Sequence, residues 1–274
     1  MDNRTHFEPM DTLVYLYAVV PADADEPPPG LTGIEDAPVR LVRVGQVAAV
    51  VSDLTAGEYM DDRLDAHLSD LSWVGARGVA HERVLDWFLE RGPVIPLSLF
   101  SLHRGEDLVR ERFAPEAERL SSLLDTLRGR TEWGVKLWRR DEELRGNMDQ
   151  LSPTLRAYRA EMESAAPGRR FLLEKRMETV RTEELRTVAR RVAHQSYGML
   201  QELSERATTV PIPPASGESA RALVLHAAFL VAEAGFADFQ QAVGRVAHEF
   251  GGVGFEVEFT GPWPPYHFVG QDAG

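Results

Sequence analysis

The chain has 274 residues, of which 43% are hydrophobic and 27% charged, and its formal net charge is −13. It has no cysteine, which excludes disulfides and thiolate metal sites, and its negative charge argues against nucleic acid and anionic membranes as partners. No apolar run reaches the ~18–20 residues that cross a bilayer and no signal-peptide core follows the first methionine, so we expect a cytoplasmic protein.

The first half of the chain predicts a mixed α/β sheet domain over residues 1–130. In chain order, the patterns predict a buried strand (13–20), a hairpin around Gly45-Gln46 (39–52), a helix (61–91), a strand (94–100) and a helix (109–127). We expect Gly75 and Gly78 to break or kink the first helix. This order of elements favours a sheet with helices on one face.

The second half predicts a modified ferredoxin-like domain over residues 131–274. The expected elements are a strand (133–138), a long helical insertion (141–206), an edge strand (208–212), a strand (223–231), a helix (236–250) and a strand (255–259). Their order is βαββαβ with an enlarged first crossover. A helix over 169–206 would be on the order of 55 Å long, so part of it should project or pack on its neighbours. The fold class is therefore α+β.

The C-terminal stretch changes character after the last predicted strand. Three prolines, Pro262, Pro264 and Pro265, force a stiff extended path that carries the rings of Trp263, Tyr266 and Phe268. One interpretation is a tail that staples the last strand onto the core. The other is a docking surface for a partner, because Trp and Tyr dominate interface energetics.

The same stretch carries a resemblance to a known family. Thr260-Gly-Pro-Trp-Pro-Pro-Tyr-His-Phe-Val269 resembles the closing signature of the gas vesicle protein F/L family, and earlier segments match in order. These include Leu13-Val-Tyr-Leu-Tyr-Ala-Val-Val-Pro21, His81-Glu-Arg-Val-Leu85 and Glu132-Trp-Gly-Val-Lys-Leu137. The chain departs at Pro96-Leu-Ser-Leu-Phe-Ser101, where the family commonly reads Pro-Leu/Met-Arg-Phe-Gly-Thr.

The resemblance implies a non-enzymatic accessory protein of gas vesicle formation, without a cofactor. It implies two α+β domains, the second a modified ferredoxin-like fold. Its expected partners are the small hydrophobic shell protein and other accessory proteins, at a vesicle in the cytoplasm. The candidate contact residues are Trp263, Pro264, Pro265, Tyr266 and Phe268. Two alternatives stay open: a small-ligand binder or enzyme on the same fold, and a minor structural component of the vesicle wall.

Other candidate chemistry is incomplete. His81-Glu82 begins like a zinc-protease helix, but Leu85 stands where the second histidine should be, so His81 is expected to be a partly buried structural residue. Asp61, Asp62, Asp65 and His67 could bind a divalent ion, although carboxylates at a helix start are more typical of capping. We therefore predict no catalytic residues and no metal site.

Overall fold

The computed structural model describes residues 12–212 and 221–270, apart from the side chains of Asp61 and Asp62. Backbone contacts divide the chain into two compact units. The first unit runs to Thr131 and also takes in the residues from Trp263 onward, while the second runs from Glu132 to Pro262. The sequence assigns those last residues to the C-terminal domain, whereas their contacts group them with the first unit. The chain therefore passes from one unit to the other twice.

Four strands form the N-terminal sheet, in the order β2-β3-β1-β4. Their bounds are β1 Thr12–Pro21, β2 Arg40–Val44, β3 Val47–Thr55 and β4 Ile95–His103. Strand β1 pairs antiparallel with both β3 and β4, and β2 and β3 form a hairpin that closes at Val44 and Val47. Gly45 has a φ of 59°, a left-handed conformation that glycine adopts without a Cβ penalty. The predicted hairpin is confirmed.

Both faces of this sheet are covered, whereas the sequence predicts helices on one face. The helices of the unit are α1 Asp61–His67, α2 Leu71–Leu89, α3 Glu106–Phe113 and α4 Ala117–Leu127. Tyr15 and Tyr17 of β1 pack with the buried side of α2. Val14 and Leu16 alternate with them and are also buried, and α4 contacts β1 and β3. Eight consecutive residues of β1 are buried, and in the sequence they form a continuous apolar and aromatic run. Such a run is typical of a strand that is covered on both faces.

The break in the first helical region lies before Gly75 and Gly78, not at them. Helix α1 ends at His67, and α2 begins after Asp70, whose side chain accepts hydrogen bonds from the backbone N–H groups of Ser72 (2.9 Å) and Trp73 (3.1 Å). An aspartate N-cap of this kind starts a new helix. The two glycines lie inside α2, so the predicted break was placed wrongly.

The second unit has the predicted ferredoxin-like topology. Its strands are β5 Arg130–Arg140, β6 Arg206–Thr209, β7 Arg221–Ala232 and β8 Phe255–Trp263. Its helices are α5 Asp141–Leu151, α6 Pro153–Ser164, α7 Pro167–Gln201 and α8 Phe236–Gly251. The sheet order β6-β7-β5-β8 places β5 in the interior and β6 at an edge, as a βαββαβ chain requires. The sequence argument for an edge position rests on Pro211, Pro213 and Pro214, of which Pro213 and Pro214 lie outside the described residues.

Aromatic rings connect the sheet and α8 in the core of the second unit. Phe239 is fully buried, with ring centroids 5.4 Å from Phe229 and 6.2 Å from Phe259. Trp133 stacks on Phe236 at 4.4 Å and on Phe259 at 5.0 Å. Trp133, Phe229, Phe239 and Phe259 therefore share the core of the second unit, each from the apolar face of its own element.

Helix α7 is longer than the sheet it covers. It has 35 residues, about 52 Å at 1.5 Å per residue, and its fully buried positions begin at Leu185. Helix α6 packs along α7, and Tyr158 Oη donates to the carbonyl oxygen of Leu173 at 3.1 Å. The expectation that part of this helix packs on its neighbours is therefore confirmed.

Candidate functional site: the C-terminal segment

The C-terminal segment, residues 263–269, follows directly from β8. The strand runs to Trp263, four residues beyond the predicted end at Phe259, and includes a cis peptide between Gly261 and Pro262. The chain then turns twice, because Tyr266 N–H donates to the carbonyl of Pro264 at 2.7 Å and Phe268 N–H to that of Pro265 at 3.0 Å. Along these turns Pro264 and Pro265 are buried, Tyr266 and His267 are exposed, and Phe268 and Val269 are buried again.

The five predicted contact residues divide into an anchoring set and an exposed set. Pro264, Pro265 and Phe268 are buried, with Phe268 only 3% exposed. Trp263 and Tyr266 are exposed, at 42% and 36%. Three residues of the segment are therefore buried, as expected of a tail that packs on the core. The other two expose their rings, as expected of a docking surface.

Tyr266 is held by a hydrogen bond within the first unit. Its hydroxyl donates to Oε1 of Glu82, on α2, at 2.8 Å. Although the residue as a whole is 36% exposed, burial of the hydroxyl and the neighbouring Glu82 charge raise the pKa of Tyr266, so the hydroxyl remains a proton donor at neutral pH. Burial also raises the pKa of Glu82. The hydrogen bond fixes the position of the ring without covering it.

His81 has the structural role that its helical spacing indicates. It is 2% exposed, and its Nδ1 lies 2.8 Å from the hydroxyl of Tyr15. Because Phe100 N–H donates to that hydroxyl oxygen at 3.1 Å, the Tyr15 hydrogen is free to be donated to Nδ1. Burial lowers the pKa of His81 to about 4, so the imidazole is neutral in the folded protein.

This neutral histidine predicts acid sensitivity. An unfolded histidine has a pKa of about 6.5, so its stabilising contribution is fully present above pH 6.5 and is lost as the pH falls towards 4. The expected loss is about 3 kcal/mol, from the difference of the two pKa values. Urea unfolding of the wild type and of His81→Gln at several pH values measures it. We expect the slope of stability against pH to be shallower in the variant, and equal slopes would contradict the assignment.

A second polar and aromatic cluster, which sequence analysis missed, surrounds Arg77. Its guanidinium lies 3.7 Å from the ring centroid of Trp73 and pairs with Glu35 (3.1 Å) and Glu58 (3.0 Å). Trp73 stacks in turn on Phe100 of β4 and on His67 of α1. Arg77 is thus neutralised by carboxylates that lie far apart in the sequence, and the cluster connects the loop before β2 to α2.

Phe100, in the segment that departs from the family pattern, has an unusual conformation. In β4 the pairing with β1 jumps from Ser101 to Pro96, and the residues between them bulge out of the ladder. Phe100 has a φ of 66°, a region that favours glycine. The family pattern that the sequence resembles reads glycine at this place, whereas here the left-handed backbone carries a phenylalanine side chain. Stacking on Trp73 compensates in part for this conformation.

The described residues offer no other clear site. Among them, no group of three or more His, Asp or Glu side chains lies close enough to hold a metal ion. In the predicted acidic patch, His67 stacks on Trp73 at 4.7 Å, while the side chains of Asp61 and Asp62 lie outside the described part. Within the same described ranges, no helix is long and apolar enough to span a membrane.

Comparison with known proteins identifies the class to which this fold and segment belong. Residues 13–270 match the sequence profile of the family described as "Gas vesicle synthesis protein GvpL/GvpF". The match spans both units and the C-terminal segment. The chain belongs to the gas vesicle GvpL/GvpF family.

Individual relatives agree with this assignment. The chain is 31% identical to "Gas vesicle protein L" of a Streptomyces species, over 95% of this chain and 94% of the relative. It is 27% identical to "Gas vesicle protein L1" of Halobacterium salinarum, over 93% and 89% of the two chains.

Two solved structures share the fold. The crystal structure of GvpF from Anabaena superposes with a TM-score of 0.68 at 19% identity, covering 94% of this chain and 98% of that one. GvpF from Microcystis aeruginosa gives a TM-score of 0.63 at 18% identity, covering 93% and 98%. The two-unit α+β fold predicted from the sequence is therefore confirmed.

Proposed function

We propose that this chain is a non-enzymatic accessory protein of gas vesicle assembly that binds the hydrophobic shell protein and keeps it from aggregating during nucleation. Membership of the family supports a role in gas vesicle formation. A shell subunit with exposed apolar surface needs a transient partner that offers aromatic contacts. The net charge of −13 would keep such a complex dispersed. Other accessory proteins of the growing vesicle are further expected partners.

The observation that carries this proposal is the pair of exposed rings on an anchored backbone. Trp263 and Tyr266 are presented by a segment whose Pro264, Pro265 and Phe268 are buried, and Glu82 holds the Tyr266 hydroxyl. Proline fixes φ, so the segment has little backbone freedom left to lose on binding. A preorganised aromatic surface binds with a smaller entropy cost than a mobile one. We place the shell-protein contact at Trp263 and Tyr266.

The test is capture of purified shell protein by immobilised variants. Trp263→Ala and Tyr266→Ala are each expected to weaken association by about 1–4 kcal/mol, with the unfolding midpoint changed little. Leu108→Ala, which truncates an exposed side chain of α3 that is 44% accessible, is the matched control and should bind like the wild type.

Two outcomes would count against the proposal. Wild-type protein that is folded and yet captures no shell protein would refute binding itself. Variants at positions 263 and 266 that capture it as well as the wild type would place the contact elsewhere on the molecule. Retention of the protein in purified mature vesicles would favour the wall-component alternative.

A further inference from the structure

The carboxyl group of Glu82 connects helix α2 to the C-terminal segment. Its Oε1 accepts the hydrogen bond from the Tyr266 hydroxyl at 2.8 Å, whereas its Oε2 is buried and accepts no hydrogen bond from any residue in the described part of the chain. An ionised carboxylate can accept about four hydrogen bonds, and burying one with a single donor is unfavourable. This site therefore stabilises the ionised form of Glu82 poorly.

We attribute the burial of Oε2 to the C-terminal segment. The neighbours of Glu82 on the same side of α2 are open to water, because Val79 is 71% exposed and Asp86 is also exposed. A Cβ placed on Gly78, one turn earlier, would meet no atom within 4 Å. Tyr266 contacts Glu82 from the segment, so water would reach both carboxyl oxygens if the segment lifted away.

The charged and titratable groups near Glu82 come from α2, from the C-terminal segment and from β1: Arg83, Asp86, Glu90, Tyr266, His267 and Tyr15. Burial has the largest effect on the pKa of Glu82 and raises it, the hydrogen bond from Tyr266 lowers it, and the charge of Asp86 raises it again. Arg83 donates to the carbonyl oxygen of Thr32 at 3.0 Å. Protonation of Glu82 is therefore favoured while the segment is docked.

We propose that Glu82 is a proton-linked latch on the C-terminal segment, which is held more tightly when this carboxyl group is protonated than when it is ionised. The proton goes to Oε2, and Oε1 continues to accept the Tyr266 hydrogen bond as a carbonyl oxygen. The additional stabilisation is fully present below the ordinary carboxyl pKa of 4.5, and it is lost as the pH rises through the higher pKa of the docked state.

The latch rests on the proposed function only for its consequence. A segment that is held more tightly keeps the rings of Trp263 and Tyr266 in place, so capture of the shell protein should strengthen towards lower pH. The latch itself is a property of this protein alone and is measured without the shell protein.

Hydrogen exchange at the backbone amides of Tyr266 and Phe268 measures how tightly the segment is held, because these amides form the two turns after β8. Protection factors corrected for the intrinsic exchange rate should fall between about pH 4.5 and pH 7.5, by no more than about tenfold per pH unit, the limit for one proton. Glu82→Gln is neutral throughout this range, so its protection factors should not change with pH.

Two further variants remove neighbouring titratable groups. Glu90→Gln, two turns further along α2, and His267→Gln, next to Tyr266, should both keep the pH dependence of the wild type. Wild-type protection that is independent of pH overturns the proposal, as does a pH dependence that survives in Glu82→Gln or disappears in His267→Gln. A carboxyl-carbon NMR signal of Glu82 that titrates at or below pH 4.5 overturns it without any variant.

Shell-protein capture by the wild type and by Glu82→Gln at the same pH values separates the latch from the proposed function. Capture by the wild type that weakens relative to the variant as the pH rises supports both. Protection that depends on pH without a matching change in capture supports the latch and counts against a shell-protein contact at Trp263 and Tyr266.

Discussion

Replacement of Phe239 by alanine is expected to lower the free energy of unfolding by about 3–5 kcal/mol. Phe239 is completely buried, and its ring lies between those of Phe229 on β7 and Phe259 on β8. Truncation removes the apolar contacts by which α8 packs on the sheet, and it leaves a cavity that two strands and a helix cannot close. Denaturant unfolding followed by tryptophan fluorescence measures the change, because Trp133 belongs to the same aromatic cluster.

Phe236→Ala provides the control for this measurement. Phe236 stacks on Trp133 at 4.4 Å but is only partly buried, so its truncation should cost less than half as much. A loss below about 1 kcal/mol for Phe239→Ala would show that α8 does not depend on this residue for its packing.

Phe268→Ala is expected to lower the free energy of unfolding by a similar amount, about 3–5 kcal/mol, because it removes a buried ring from the first unit. Phe268 is 3% exposed and lies in the C-terminal segment, which groups with the first unit. Its loss should release the segment that presents Trp263 and Tyr266, so shell-protein capture should fall together with stability. Thermal unfolding and capture measured on the same samples would show this coupling.

Tyr266→Phe distinguishes the contribution of the ring to stability from that of the hydroxyl, because it keeps the ring and removes the hydroxyl. It removes only the hydrogen bond to Glu82, which lies at a half-exposed position, and should cost no more than about 1 kcal/mol. If Phe268→Ala destabilises the protein no more than Tyr266→Phe, the segment is not anchored by its buried ring.

The sequence predicts the elements well because their patterns are local. Alternating or continuous apolar residues mark β1, β3 and β7, and helical spacing marks α4 and α8, so their order and the ferredoxin-like arrangement follow. The misplaced break in the first helix shows a limit of such reasoning. Gly75 and Gly78 are tolerated inside α2, while the decisive signal was Asp70, an N-cap residue just before the helix.

The candidate site was predictable only in part, because its geometry depends on contacts between distant residues. The composition of the C-terminal segment marks it as stiff and aromatic, but no local pattern reveals that Tyr266 reaches Glu82, 184 positions away. The separation into buried Phe268 and exposed Trp263 likewise arises from what the segment packs against. The left-handed backbone of Phe100 could not be predicted from its residue type either, because phenylalanine rarely adopts a positive φ.

The return of the C-terminal segment to the first unit has a consequence for synthesis on the ribosome. The sequence of the first unit is interrupted by the whole of the second, residues 132–262. At translation rates of about 5–20 residues per second, roughly 7–26 s separate the two parts of the first unit as they are made. A nascent chain therefore carries an N-terminal sheet without Trp263, Tyr266 and Phe268 during that interval. The aromatic surface that we assign to the shell protein comes into existence only when translation has passed residue 269, so an unfinished chain cannot engage the shell protein there.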